Sequence, residues 1–147
     1  MTRPLPGTRA DYSIFAPLTT RWMDNDVMGH VNNAVFYSFF DTAITRHLVA
    51  HGILGLPGAD HVLMVAESAC RYHQEVAFPD SLATGLRLAR LGTSSIRHDV
   101  AVFRDGAETA AAEGHFVHVC VAAATRRPAP MPDAWRRLLE PFLMERR

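Results

Sequence analysis

The sequence predicts an α+β domain in which an antiparallel sheet packs on one long helix, with a second, short helix at the C-terminal end. Three observations point there. From about Asn33 to His51, Phe36, Phe39, Phe40, Ala43, Ile44, His47 and Leu48 recur at three- and four-residue steps, which draws one apolar stripe on a helix. From His61 onward the period falls to near two, over stretches at about 62–76, 82–91, 95–104 and 109–124. The connections between these stretches are short, which predicts antiparallel neighbours in a four-strand meander.

In chain order, the first ten residues, with Pro4, Pro6 and Gly7, read as a loose lead-in. A strand is expected near 13–22, restricted by Pro17 to an edge or a bulge. The segment from Met23 to Asn33 is polar and turn-forming, since Asp and Asn side chains compete for backbone hydrogen bonds. Asn32 or Asn33 can cap the helix that follows, and Gly52 suits its end. In 95–104, Ile96, His98, Val100 and Val102 face one way, and Arg97, Asp99, Ala101 and Phe103 the other. Asp105-Gly106 reads as a two-residue hairpin turn, because both positions tolerate positive φ. Pro128, Pro130 and Pro132 break the chain, and Asp133 can cap a terminal helix over 133–144 with Trp135, Leu138, Leu139 and Phe142 on one stripe. One terminal helix is too little to cover a sheet of this size, so the outer face and edges call for oligomerisation.

At 147 residues the chain has the size of one domain spanning 1–147, and its 48% hydrophobic and 20% charged residues are those of a globular protein. The formal net charge of +0 supplies no global field toward nucleic acid or an anionic membrane. All 15 basic residues are Arg, which excludes Schiff-base and lysine-base chemistry and leaves planar forks suited to phosphate or carboxylate. Cys70 and Cys120 lie in apolar stretches without CxxC spacing and are expected to be reduced. There is no signal-peptide pattern and no apolar run near the ~20 residues of a membrane span, so no membrane insertion and a cytoplasmic location are expected.

Chemistry concentrates in Arg21-Trp-Met-Asp-Asn-Asp-Val-Met-Gly-His-Val-Asn-Asn33. This loop carries Asp24, Asp26, His30, Asn32 and Asn33 and runs into a helix N-terminus. Amides and the dipole at a helix start can stabilise a developing oxyanion. A carboxylate beside them can act as nucleophile or general base. The plainer alternative is that both aspartates cap turns and His30 packs on the first helical turn.

The pattern Arg21-Trp22-x-Asp24-x-Asp26-x-x-Gly29-His30-Val31-Asn32-Asn33-x-x-Phe36 resembles the signature of the 4-hydroxybenzoyl-CoA thioesterase-like branch of the hotdog superfamily. Weaker likenesses follow in the right order at Tyr72-x-x-Glu75-x-x-x-Pro79-Asp80-x-Leu82, Leu91-Gly92-x-Ser94-Ser95-Ile96 and Arg127-Pro128-x-Pro130-x-Pro132. The resemblance implies a hotdog fold, a sheet wrapped around one central helix, and hydrolysis of an acyl-CoA with no cofactor beyond the coenzyme A of the substrate. It implies that Asp26 is the catalytic carboxylate, attacking the thioester or activating water, and that amides near Asn33 polarise the thioester oxygen. Asp24 would orient the loop, while His30, Asn32 and Phe36 shape the substrate site. It further implies a homodimer or homotetramer with the site at the subunit interface, where Ser94, Ser95 and an arginine such as Arg97, Arg90 or Arg104 approach the coenzyme across it. Glu67 could assist or be a paired structural carboxylate.

Three rivals stand beside this. A metal site could draw on Asp24, Asp26, His30, His98, His115 and His118, but none has a recognised ligand spacing, and His115 and His118 belong to opposite faces of a strand. A hotdog hydratase or dehydratase would need a different helix-start motif. A non-catalytic acyl-thioester binding protein would keep the fold without the reaction.

Overall fold

The computed structural model describes residues 2–54 and 57–145. It contains β1 (Ile14–Thr19), α1 (Val35–Ala50), β2 (His61–Tyr72), β3 (Ser81–Leu91), β4 (Ser95–Arg104), β5 (Ala112–Ala122) and α2 (Asp133–Leu139). All five strands join one antiparallel sheet in the order β1-β3-β4-β5-β2. The sheet wraps α1, whose Phe40, Ile44 and Leu48 are fully buried against Leu86, Leu88, Ile96, Val100 and Val102 of the sheet's inner face. Each such side chain contributes about 1.5–3 kcal/mol by leaving water. Ala101 and Phe103 point the other way and form a separate outer-face cluster with Tyr12 and Ala110. The alternation expected in β4 therefore holds.

The meander holds only for β3, β4 and β5. β2 does not pair with β3; it crosses to the far edge and pairs with β5 from His61↔Ala122 to Tyr72↔Ala112. The 73–80 segment is what permits this crossing. β2 stops at Tyr72 instead of running to Val76, because the chain turns away there and the Val76 carbonyl accepts the Val31 amide at 2.8 Å. The Asp105-Gly106 turn forms, with Gly106 at φ +76, but it does not close a two-residue hairpin. The ladder resumes only at Val102↔Ala112, because the intervening residues bond instead to the N-terminal segment. Arg9 donates to Glu108 and Ala110 to Gly7, and Thr8 bridges Thr109, so the lead-in is tied down from Gly7 onward.

Pro17 lies on β1, an edge strand, where its missing donor costs no ladder bond. α1 ends at Gly52, whose φ of +71 lets the Ile53 amide reach back to Leu48 at 3.0 Å. α2 ends at Leu139 and passes into a 3-10 turn over Glu140–Phe142 at Pro141. Asp133 is its first residue and not its cap.

Candidate active site

The loop from Arg21 to Asn33 is organised by Asp24. This side chain is 1% exposed and accepts from the Arg21 amide at 2.7 Å and from the Arg21 guanidinium at 2.9 Å. Its own carbonyl takes the Asn32 amide at 2.9 Å, which folds the loop back on itself. Asn25 Oδ1 accepts the Phe78 amide and Val31 donates to Val76, so both limbs are pinned to the 73–80 segment. Gly29, at φ +86, makes the turn between them, a conformation that costs glycine nothing. Asp24 is thus a residue that builds the loop.

Asp26 sits on this frame, partly exposed. Its Oδ1 accepts the Met28 amide at 2.8 Å and its Oδ2 accepts Asn32 Nδ2 at 2.9 Å. Its amide donates to the His30 carbonyl, and its carbonyl takes the Gly29 amide. Two donors hold the carboxylate's orientation while each oxygen keeps a lone pair in reserve. Asn32 works in both directions, because its Oδ1 accepts the Ala34 amide at 2.9 Å and its carbonyl takes the Val35 amide at 3.0 Å. Neither asparagine is the N-cap of α1, which is Ala34; Asn32 serves the first turn from two residues further out. The amide of Asn33 has no acceptor among the described residues, and its carbonyl accepts Tyr72 Oη at 2.8 Å.

Asp26, His30, Asn33 and Phe36 line one cleft of about 350 Å³, together with Met28, Val31 and residues 72–76. Phe36 is buried and edge-on to Tyr72 at 5.4 Å and to Phe39 at 5.8 Å, which makes an aromatic floor. His30 Nε2 lies 3.8 Å from Glu75. Tyr72 and Val76 are lining residues that spacing alone does not single out, since both sit where a strand was expected to continue. Burial is the main cause that pushes the Tyr72 hydroxyl well above its ordinary range, so it is a proton donor.

Ser94, Ser95 and Arg97 are not brought to Asp26 within one chain. The two serines form the β3–β4 turn, whose carbonyls take the Cys120 and Gly92 amides. The Asp26 loop packs at the other end of β3, roughly 30 Å away along the strand. Arg97 lies on the sheet's outer face, with Nε on Asp99 at 2.9 Å. Arg104 bonds the Glu75 carbonyl and Arg90 is exposed. Glu67 pairs with His115 on the outer face, away from the cleft. His118 faces inward beside His98, with ring centroids 6.3 Å apart, so the two histidines of 115–118 do diverge. Among the described residues no group of three or more His, Cys, Asp or Glu side chains could hold a metal ion. Among the same residues no helix is long and apolar enough to cross a membrane.

A family model described as the thioesterase-like superfamily matches residues 20–140. The crystal structure of the PA5185 protein from Pseudomonas aeruginosa strain PAO1 is similar at 41% identity, covering 97% of this chain and 99% of that one, with a TM-score of 0.90. A thioesterase from Thermus thermophilus, solved with coenzyme A and Zn, is 31% identical over 90% of this chain and 95% of its own, at a TM-score of 0.75. Slr0204 from Synechocystis, a 1,4-dihydroxy-2-naphthoyl-CoA thioesterase, shares the fold at 19% identity, covering 85% of this chain and 93% of that one, with a TM-score of 0.77. No curated protein sequence matches. With a sheet wrapped on one helix and a family match over most of its length, the chain belongs to the thioesterase-like superfamily, as a hotdog-type enzyme of the thioesterase class.

Proposed function

We propose that the chain hydrolyses an acyl-CoA to the free acid and coenzyme A, within the 4-hydroxybenzoyl-CoA thioesterase-like branch, with Asp26 as the catalytic carboxylate. The observation that carries this is that one cleft is lined both by an oriented carboxylate and by Asn33, whose amide has no acceptor among the described residues. Thioester hydrolysis needs an oxygen nucleophile and a donor for the carbonyl oxygen as it gains charge. Asp26 offers the first, by attack on the carbonyl to give a mixed anhydride or by taking a proton from water. The Asn33 amide at the start of α1 offers the second, fixed in place before charge develops. The acyl group lies against Phe36 and Val76, His30 borders the cleft, and Asn32, which does not line it, holds Asp26 in place. Neither route calls for a metal or cofactor, because coenzyme A arrives with the substrate. The coenzyme A bound by the Thermus thermophilus relative supports that substrate class.

The working unit in this proposal is a cytoplasmic homodimer, alone or paired into a homotetramer. β2 is a twelve-residue edge strand with Met64 and Val65 47% and 52% exposed, an edge that invites a second strand. Antiparallel pairing of β2 with its copy sets the Tyr72 end of one strand beside the His61 end of the other. The His61 end of the sheet is the end that carries Ser94 and Ser95. A two-fold contact there brings the partner's β3–β4 turn toward Asp26, and with it a site that one chain does not complete.

A panel of acyl-CoAs of graded length, read by a free-thiol reagent, tests the reaction. Thiol release that falls at least about 1,000-fold in Asp26→Asn, at an unchanged melting temperature, is the expected result. Tight acyl-CoA binding without release would instead make this a binding protein, and full turnover by Asp26→Asn would move the chemistry elsewhere. Light scattering that gives a monomer at assay concentration would refute the shared site.

A further inference from the structure

The sheet's outer face carries a second cavity, larger than the Asp26 cleft, at about 640 Å³. Four guanidinium groups line it, from Arg3, Arg71, Arg87 and Arg97, against the two carboxylates Asp99 and Glu113. The chain as a whole has a formal net charge of +0, so this is a local excess of positive charge on a neutral protein. The carboxylates are also heavily committed. Asp99 accepts from Arg87 and from Arg97 at once. Glu113 takes the Gly7 amide at 2.8 Å and lies 3.3 Å from His73 and 4.0 Å from Arg71.

Arg87 gives this face the character of a built site. It is 3% exposed, beneath the Tyr12 ring at 5.4 Å, and donates to the Asp11 carbonyl and to Asp99. Its Nε is buried with no acceptor among the described residues. Arg87 and Arg97 share the single charge of Asp99, one on each oxygen, so the Arg97 side chain, 34% exposed, is only partly neutralised, and the Arg71 side chain is 48% exposed. Exposed planar forks backed by a buried cation are suited to bidentate binding of phosphate oxygens. Tyr72, at the end of β2, lines both this groove and the Asp26 cleft.

We infer that this outer-face groove is an anion site for the phosphate groups of a nucleotide-bearing ligand, held by Arg71 and Arg97 with Arg87 behind them. The inference stands apart from the role of Asp26, because it rests on charge and on a different cavity. Two sources share this chemistry: the nucleotide end of a thioester substrate passing the Tyr72 end of β2, or a separate nucleotide.

Calorimetric titration of adenosine 3′,5′-bisphosphate into the full chain, at low and high salt, tests it against Arg71→Gln/Arg97→Gln. Asp99 keeps Arg87 in that variant, and Arg71→Glu alone provides a second test should the double variant melt early. Salt-sensitive binding that weakens at least tenfold in the variants, and is unchanged in Asp26→Asn, is the expected result. If the acyl-CoA KM rises with it while that of an acyl-pantetheine lacking phosphate does not, the groove holds the substrate's own phosphates. Bisphosphate binding with unaltered acyl-CoA kinetics assigns the groove to a separate nucleotide. Absence of binding, or equal binding by wild type and variants, overturns the inference.

Discussion

Lowering the pH from 7 to 5 is expected to cost the fold about 4 kcal/mol through two histidines between α1 and the sheet. His98 on β4 is fully buried, and neither ring nitrogen has a partner among the described residues. His47 on α1 lies 6.3 Å away and His118 on β5 lies 6.3 Å away on the other side. Burial is the main cause that lowers His98 to about 3, aided by both neighbouring histidines and opposed by Asp99. Burial, then His51, lowers His47 to about 4. His118 shifts the same way, again through burial.

Each of these groups binds a proton more weakly in the folded chain than in the unfolded one. Stability is therefore complete above the unfolded value near 6.5 and is lost as pH falls toward the folded values. At pH 5 the folded rings are still almost entirely neutral, whereas the unfolded rings are almost entirely charged. The loss to that point is set by the unfolded chain and comes to about 2 kcal/mol for each of His47 and His98. That is a large part of the 5–15 kcal/mol typical of a whole domain. The assay is urea unfolding at pH 7 and pH 5, at one protein concentration because subunit association shifts the midpoint. His98→Leu removes one titrating ring at similar volume, so the difference between the two pH values is expected to shrink by about 2 kcal/mol. An identical difference in wild type and His98→Leu would refute the assignment.

Three further outcomes follow from the loop and the sheet. Asn32→Ala releases one Asp26 oxygen and the Ala34 amide, so it is expected to lower kcat at least about tenfold with little change in KM, and stability by about 1 kcal/mol; thiol-release kinetics and a thermal melt check both. Asp24→Asn weakens the charge-assisted bonds from Arg21 in a buried position and is expected to cost about 1–3 kcal/mol and activity together; if activity survives while melting falls, the loop does not depend on it. Gly114→Ala drives a methyl into the Ala69 carbonyl of the paired β2 strand and toward the Phe40 ring, so a loss of about 3 kcal/mol or more, read by melting or soluble yield, is expected.

Local pattern made much of this molecule legible. The Phe36–Leu48 stripe marks α1 because burial against one sheet face needs that spacing, and all but one of its large side chains lie in the core. Pro17 marks an edge strand for a reason that is purely chemical, its missing donor. The crowding of Asp24, Asp26 and Asn32 in one polar loop reflects real mutual bonding, in which one carboxylate builds the loop and the other is presented by it.

What stayed out of reach is long-range. Short connections suggest neighbours, yet β2 pairs with β5 because 73–76 has other bonds to make, to Ala111 and Val31. The Asp105-Gly106 turn is as strong as it looks, but turn chemistry governs only four residues; where the ladder resumes depends on Gly7, Thr8 and Arg9, almost a hundred positions away. The same limit explains Ser94 and Ser95. Nothing in their own neighbourhood says which carboxylate they serve, and inside one chain they lie at the wrong end of the sheet. Under the proposed two-fold pairing of β2 they would gain a place beside Asp26 across the interface, because antiparallel pairing exchanges the two ends of that edge.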